Sequence, residues 1–110
     1  MSIYDTELID KAFVNRDGTR LILIMADELG WDDQELHFNL LEKKIGRYLN
    51  FVDGGTIQQH IPEANNLPVT IDIRFKHDLT ANAISFLSAA QQQLDEQNIK
   101  LTYGMVHAHS

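Results

Sequence analysis

Hydrophobic and polar positions change period along the chain, and the changes mark the elements. Residues 7–15 alternate imperfectly and read as a first strand, with Leu8, Asp10, Ala12 and Val14 on one face and Ile9, Lys11 and Phe13 on the other. Arg16-Asp17-Gly18-Thr19 follows as a turn, because Asp-Gly supplies the positive φ that a tight hairpin needs. The run Arg20–Ala26 is almost continuously apolar, as in a strand covered on both faces or one with an apolar edge against a partner. These two strands should form an antiparallel hairpin.

The period then lengthens. Leu36, Leu40, Leu41, Ile45, Tyr48, Leu49 and Val52 recur at helical spacing and predict a helix that Asp53-Gly54-Gly55 ends. Its start reads as an N-cap at Asp32, with Glu35 reaching back as in a capping box and Trp31 stapled to Leu36. Ile57–His60 reads as a short strand. Val69–Phe75 alternates cleanly, with Val69, Ile71, Ile73 and Phe75 inward and Thr70, Asp72 and Arg74 outward. Asp78 or Thr80 caps a second helix over residues 80–97, whose stripe is Ile84, Leu87, Ala90, Gln91 and Leu94. Lys100–Val106 reads as a last strand.

The order ββα(β)βαβ predicts an α+β fold. It is a two-layer sandwich, with a mostly antiparallel sheet of four to five strands and two helices on one face. The final strand–helix–strand unit should cross over right-handed and make its two strands parallel.

At 110 residues the chain has the length of one domain, 1–110, and its 44% apolar content supports a core. It has no cysteine, which excludes disulfides, thiolate metal sites and a cysteine nucleophile. No apolar run reaches membrane-spanning length and Met1–Asp5 lacks the features of a secretory signal, so a cytoplasmic protein without a membrane partner is expected. Sixteen acids against nine bases give a net charge of −7, which argues against nucleic acid as a partner. The charge is uneven: residues 1–35 hold nine acids and three bases. That segment is either an ordinary solvated surface or an acidic face that steers a basic partner.

Met25-Ala-Asp-Glu-Leu-Gly-Trp31-Asp, followed by His37-Phe-Asn-Leu-Leu-Glu-Lys-Lys44 and Tyr48-Leu-Asn-Phe51, resembles a family of small bacterial proteins known only as a domain of unknown function. The shared pattern is a strand ending in Asp, a Trp, an acidic helix start, His-x-x-Leu-Leu-x-x-Lys and Tyr-Leu-x-Phe. The resemblance implies a bacterial, single-domain protein with no established activity. By analogy of size and charge, small acidic families of this build include immunity proteins that neutralise toxins.

Asp27, Glu28, Asp32, Asp33 and Glu35 fall within nine residues, with His37 just beyond. Such a cluster could hold a hard cation or form an acid–base pair with His37, but the calcium-loop spacing is absent and capping already accounts for Asp32 and Glu35. The preferred reading is therefore an acidic docking surface at Asp27, Glu28, Asp32, Asp33 and Glu35, with Trp31 as its apolar anchor. His107 and His109 stand two apart, as metal-ligand pairs on a strand can, but at the chain end, where fraying is expected; His60 and His77 lie beside loops, and no His-x-x-x-His or His-Glu-x-x-His spacing occurs. No nucleophile motif or phosphate loop occurs, so no catalytic residue, metal or cofactor is assigned.

The expected function is a non-catalytic protein-binding module, in particular an immunity protein that neutralises a basic toxin. The alternatives are a small enzyme or ligand-binding domain with a pocket between sheet and helices, and a homo-oligomeric module, such as a homodimer, pairing through the 69–75 strand or its exposed face.

Overall fold

The computed structural model describes residues 3–6 and 9–106. Four strands form the sheet: β1 (Lys11–Val14), β2 (Leu21–Asp27), β3 (Val69–Phe75) and β4 (Ile99–Met105), in the order β1-β2-β3-β4. Helices α1 (Gln34–Asp53) and α3 (Ala81–Asp95) carry the two crossovers, and a single helical turn, α2 (Thr56–His60), follows α1. Phe38 of α1 stacks on Phe86 of α3, so the two long helices lie side by side. The expected two-layer α+β sandwich is what forms.

The sheet is mixed rather than mostly antiparallel. Only β1 and β2 pair antiparallel, while β2–β3 and β3–β4 are parallel. The cause is the long connection through α1, which returns the chain to the starting edge of the sheet, so β3 enters beside β2 in the same direction. The α3 crossover repeats the step, as the reading of residues 69–106 anticipated. Because β3 is flanked on both sides, the homo-oligomeric reading cannot use its edge; the edge strands are β1 and β4.

The region read as a strand over Ile57–His60 is helical. Gly55, at φ +76°, turns the chain after α1, and Ile61 donates its N–H to the Ile57 carbonyl at 2.8 Å. One helical turn directs Ile57 and Ile61, four residues apart, inward together. β1 is shorter than the alternation implied, and Glu7 and Leu8 lie outside the described residues.

The start of β1 is set by a side-chain network. Beyond Lys11 the Asp10 carboxylate, not a strand carbonyl, accepts the Ala26 N–H at 2.8 Å. The Asp10 N–H in turn donates to the Tyr48 hydroxyl, which donates to the Ile24 carbonyl at 2.7 Å. Lys44 contacts both Asp10 oxygens, at 2.9 and 3.0 Å, with both side chains buried. Thus α1 ties itself to the β1–β2 pair through polar groups, and the same network satisfies the Ala26 and Asp10 N–H donors. The turn between β1 and β2 is closed by Asn15, whose Oδ1 accepts from the backbones of Thr19 and Arg20, with Gly18 at φ +72°.

The core lies between sheet and helices. Leu21, Leu23, Met25, Ile71 and Ile73 face Leu41, Ile45, Tyr48 and Leu87, all buried. Two stripe positions point outward instead: Leu36 is 41% exposed and Ile84 47%. Thr80 caps α3, its hydroxyl accepting the Ala83 N–H at 3.0 Å. Among the described residues no helix is long and apolar enough to cross a membrane.

Candidate functional site

The acidic segment begins where β2 ends. Asp27 closes β2 on its inward face, residues 28–33 form the connection, and α1 starts at Gln34. The N-cap is Asp33 rather than Asp32: the Asp33 carboxylate accepts the Leu36 N–H at 3.1 Å. This shift by one residue undoes the expected capping box and staple. Leu36 becomes the third helical residue and turns to solvent, while Trp31 packs elsewhere.

Trp31 lies on the His37 ring, with centroids 3.7 Å apart and planes 15° from parallel, and also meets Phe38 and Phe75. It is partly buried, and its indole Nε1 is shielded from solvent with no hydrogen-bond partner. Trp31 is therefore chiefly a cover over His37 rather than a free-standing anchor.

Asp27 is the other departure. It is 1% exposed, so it cannot present its charge to a partner. Its Oδ1 accepts the Leu29 N–H at 3.1 Å, and its Oδ2 lies 2.5 Å from His37 Nε2. His37 Nδ1 lies 2.9 Å from the Gly30 carbonyl. A carbonyl only accepts, so Nδ1 carries a hydrogen and donates it. One further proton sits between Nε2 and the Asp27 carboxylate, since two lone pairs would repel at that distance. Burial pushes the Asp27 carboxyl above its ordinary range, outweighing the His37 hydrogen bond and charge and the Leu29 N–H, which pull it down; the Glu28 charge adds a small push upward. With the Nδ1 hydrogen and this shared proton, the pair carries no net charge. Both ring nitrogens are committed and the ring is fully buried, so the pair fastens the connection to α1. His37 is thus satisfied by a carboxylate and a backbone carbonyl in the interior of the protein.

The other acids face outward. Glu28, Asp32, Asp33 and Glu35 are exposed, and Glu28 also accepts the Ile3 N–H. Beside them Tyr4, Leu29, Gly30, Asp32, Asp33 and Leu36 line a depression of about 150 Å³. Tyr4 is 57% exposed there. The structure therefore sets two of the expected acids, Asp32 and Asp33, on the wall of a small hollow whose exposed apolar side chains are Tyr4 and Leu36, with Glu28 and Glu35 exposed on the same segment. Tyr4, far away in sequence, carried no local signal, and the outward turn of Leu36 followed from the cap shift.

A larger groove of about 480 Å³ opens at the carboxyl ends of the parallel strands, lined by Ala26, Asp27, Glu28, Arg74, Lys76, His77 and Val106. A third, of about 310 Å³, runs between α1 and α3 over Ile45, Leu49, Phe86 and Leu94. The space between sheet and helices, where a ligand pocket was one alternative, is filled by core side chains. Among the described residues no three His, Asp or Glu side chains converge as a metal site. His60 and His77 are exposed, and His107 and His109 lie outside the described residues.

Fold and site together define a small α+β protein with a sealed acid–histidine pair inside and an acidic, partly apolar end outside. The chain belongs to a family described as "Family of unknown function (DUF6572)", whose model matches residues 1–107. No curated protein and no solved structure matches it.

Proposed function

We propose that this protein is a non-catalytic binding module whose acidic end docks a basic protein, in the manner of an immunity protein that neutralises a toxin. The observation that carries the reading is the hollow that Asp32 and Asp33 line beside the exposed Tyr4 and Leu36, with Glu28 and Glu35 exposed on the same segment. Exposed aromatic and aliphatic anchors within a charged rim are the usual anatomy of a binding hot spot. The acids would speed encounter and set specificity, and Tyr4 with Leu36 would slow dissociation.

Affinity capture with the tagged full chain tests this, with Asp32→Lys/Glu35→Lys and Leu36→Ser variants as controls. A stoichiometric basic protein, held by the wild type and lost by folded variants, is the expected result. Its association rate should fall with salt for the wild type and lose that dependence in the charge-reversed variant. Equal capture by both proteins would refute docking at this end.

A further inference from the structure

The face of the sheet that carries no helix is unlike the rest of the molecule. The register aligns its outward positions in three rows: Phe13, Ile22, Thr70 and Lys100; Lys11, Ile24, Asp72 and Thr102; Ala26, Arg74 and Gly104. Arg20 lies over the same face, its Nε donating to the Thr70 hydroxyl at 2.8 Å. In a chain of net charge −7, and with Glu28 beyond the rows in the groove that Arg74 also lines, the described residues of this face bear Lys11, Arg20, Arg74 and Lys100 against one carboxylate, Asp72. That carboxylate is already engaged: Arg74 holds Oδ2 at 2.6 and 2.8 Å, and the Thr102 hydroxyl donates to Oδ1 at 2.7 Å.

We propose that this face is a docking surface for an acidic protein segment bearing apolar side chains, distinct from the acidic end. Three observations select that occupant. The cations include two guanidinium groups fixed by hydrogen bonds to sheet residues, so little side-chain entropy is lost when a carboxylate arrives. Gly104 leaves Arg74 room here: a Cβ there would stand 3.0 Å from Arg74 Nη1, closer than ordinary contact. Between the cations, Ile22 and Ile24 are half-buried and Phe13 is 38% exposed, which gives apolar side chains of the partner a place to rest. A second copy placed face to face would set these cations against their counterparts, and like charges in apposition disfavour that pairing. Single-stranded nucleic acid needs successive aromatic rings for its bases, whereas this face offers one, Phe13, with Lys11 already 5.5 Å from its ring centre.

The test is a titration of the isotope-labelled full chain, followed by backbone amide shifts, with a short synthetic peptide of alternating Glu and Leu. The control probes are the matching Lys–Leu peptide and a thymidine oligonucleotide. Shifts are expected at Ile22, Ile24, Thr70 and Thr102 with the Glu–Leu peptide alone. Lys11→Glu/Lys100→Glu changes two exposed side chains and should weaken that binding about tenfold or more. Asp32→Lys/Glu35→Lys should leave it unchanged, which separates this surface from the acidic end. Absence of shifts on this face, equal binding of the Lys–Leu peptide, or binding of the oligonucleotide as tight as the peptide would each overturn the proposal. So would concentration-dependent self-association in sedimentation that Phe13→Ser abolishes.

Discussion

His37 and Asp27, ten residues apart in sequence, meet at 2.5 Å inside the protein and share one proton. Gly30 on one side and Leu29 on the other complete the bonding, and Trp31 covers the ring. The pair thus gathers the whole connection between β2 and α1, the segment that carries the exposed acids.

Stability should depend on pH through this pair. The folded state holds the Asp27 proton more tightly than the unfolded chain, whose ordinary value is 3.8. A raised folded value contributes stability that is complete below about 3.8 and is lost as pH rises through the higher folded value. Asp27→Asn keeps the shape without the titration. Urea unfolding of both proteins from acid to neutral pH should show the wild type's advantage shrinking as pH rises. An advantage that grows with pH would mean that Asp27 acts as a buried anion.

The Lys44–Asp10 pair is buried on both sides, so removing one partner strands the other. Lys44→Ala should cost about 3–5 kcal/mol. Lys44→Met with Asp10→Asn should cost less than the two single changes summed, because the asparagine oxygen can still accept the Ala26 N–H. Denaturant titration of the four proteins gives the coupling energy. Strict additivity would contradict a direct pairing.

The cap position is open to a simple comparison. Asp33→Ala should destabilise by about 1 kcal/mol through loss of the bond to the Leu36 N–H. Asp32→Ala, at an exposed position with no capping bond, should stay within about 0.5 kcal/mol of wild type. Thermal unfolding distinguishes them, and the reverse order would move the cap back to Asp32.

Gly46 lies in the interior of α1, and a Cβ there would meet nothing within 4 Å. Gly46→Ala should therefore stabilise the protein by about 0.5–1 kcal/mol, read as a higher unfolding midpoint. A loss of stability would show that the groove between α1 and α3 closes on this residue in solution.

Local chemistry alone determined much of this fold. The alternation of Val69–Phe75, the helical spacing from Leu40 to Val52 and the Asp-Gly turn are each written in neighbouring residues and form as read, and Thr80 is the one of the two candidate caps that forms. Tertiary structure decided the rest. β3 runs parallel to β2 because α1 crosses the sheet, a matter of where the chain returns and not of any residue's preference. Thr70 and Asp72 alternate outward as expected yet are buried, because Arg20, Arg74 and Thr102 lie over them. Lys44 falls in the buried stripe of α1, which only Asp10 on a distant segment makes tolerable. Asp27 reads in sequence as one more surface acid; it is a core residue because His37, one strand end and one helix start away, supplies the partner that burial demands. The acidic end is likewise completed by Tyr4, which no local pattern connects to Asp32 and Leu36. Pairings between distant polar groups carry no period, so their energy becomes visible only once the backbone has brought them together.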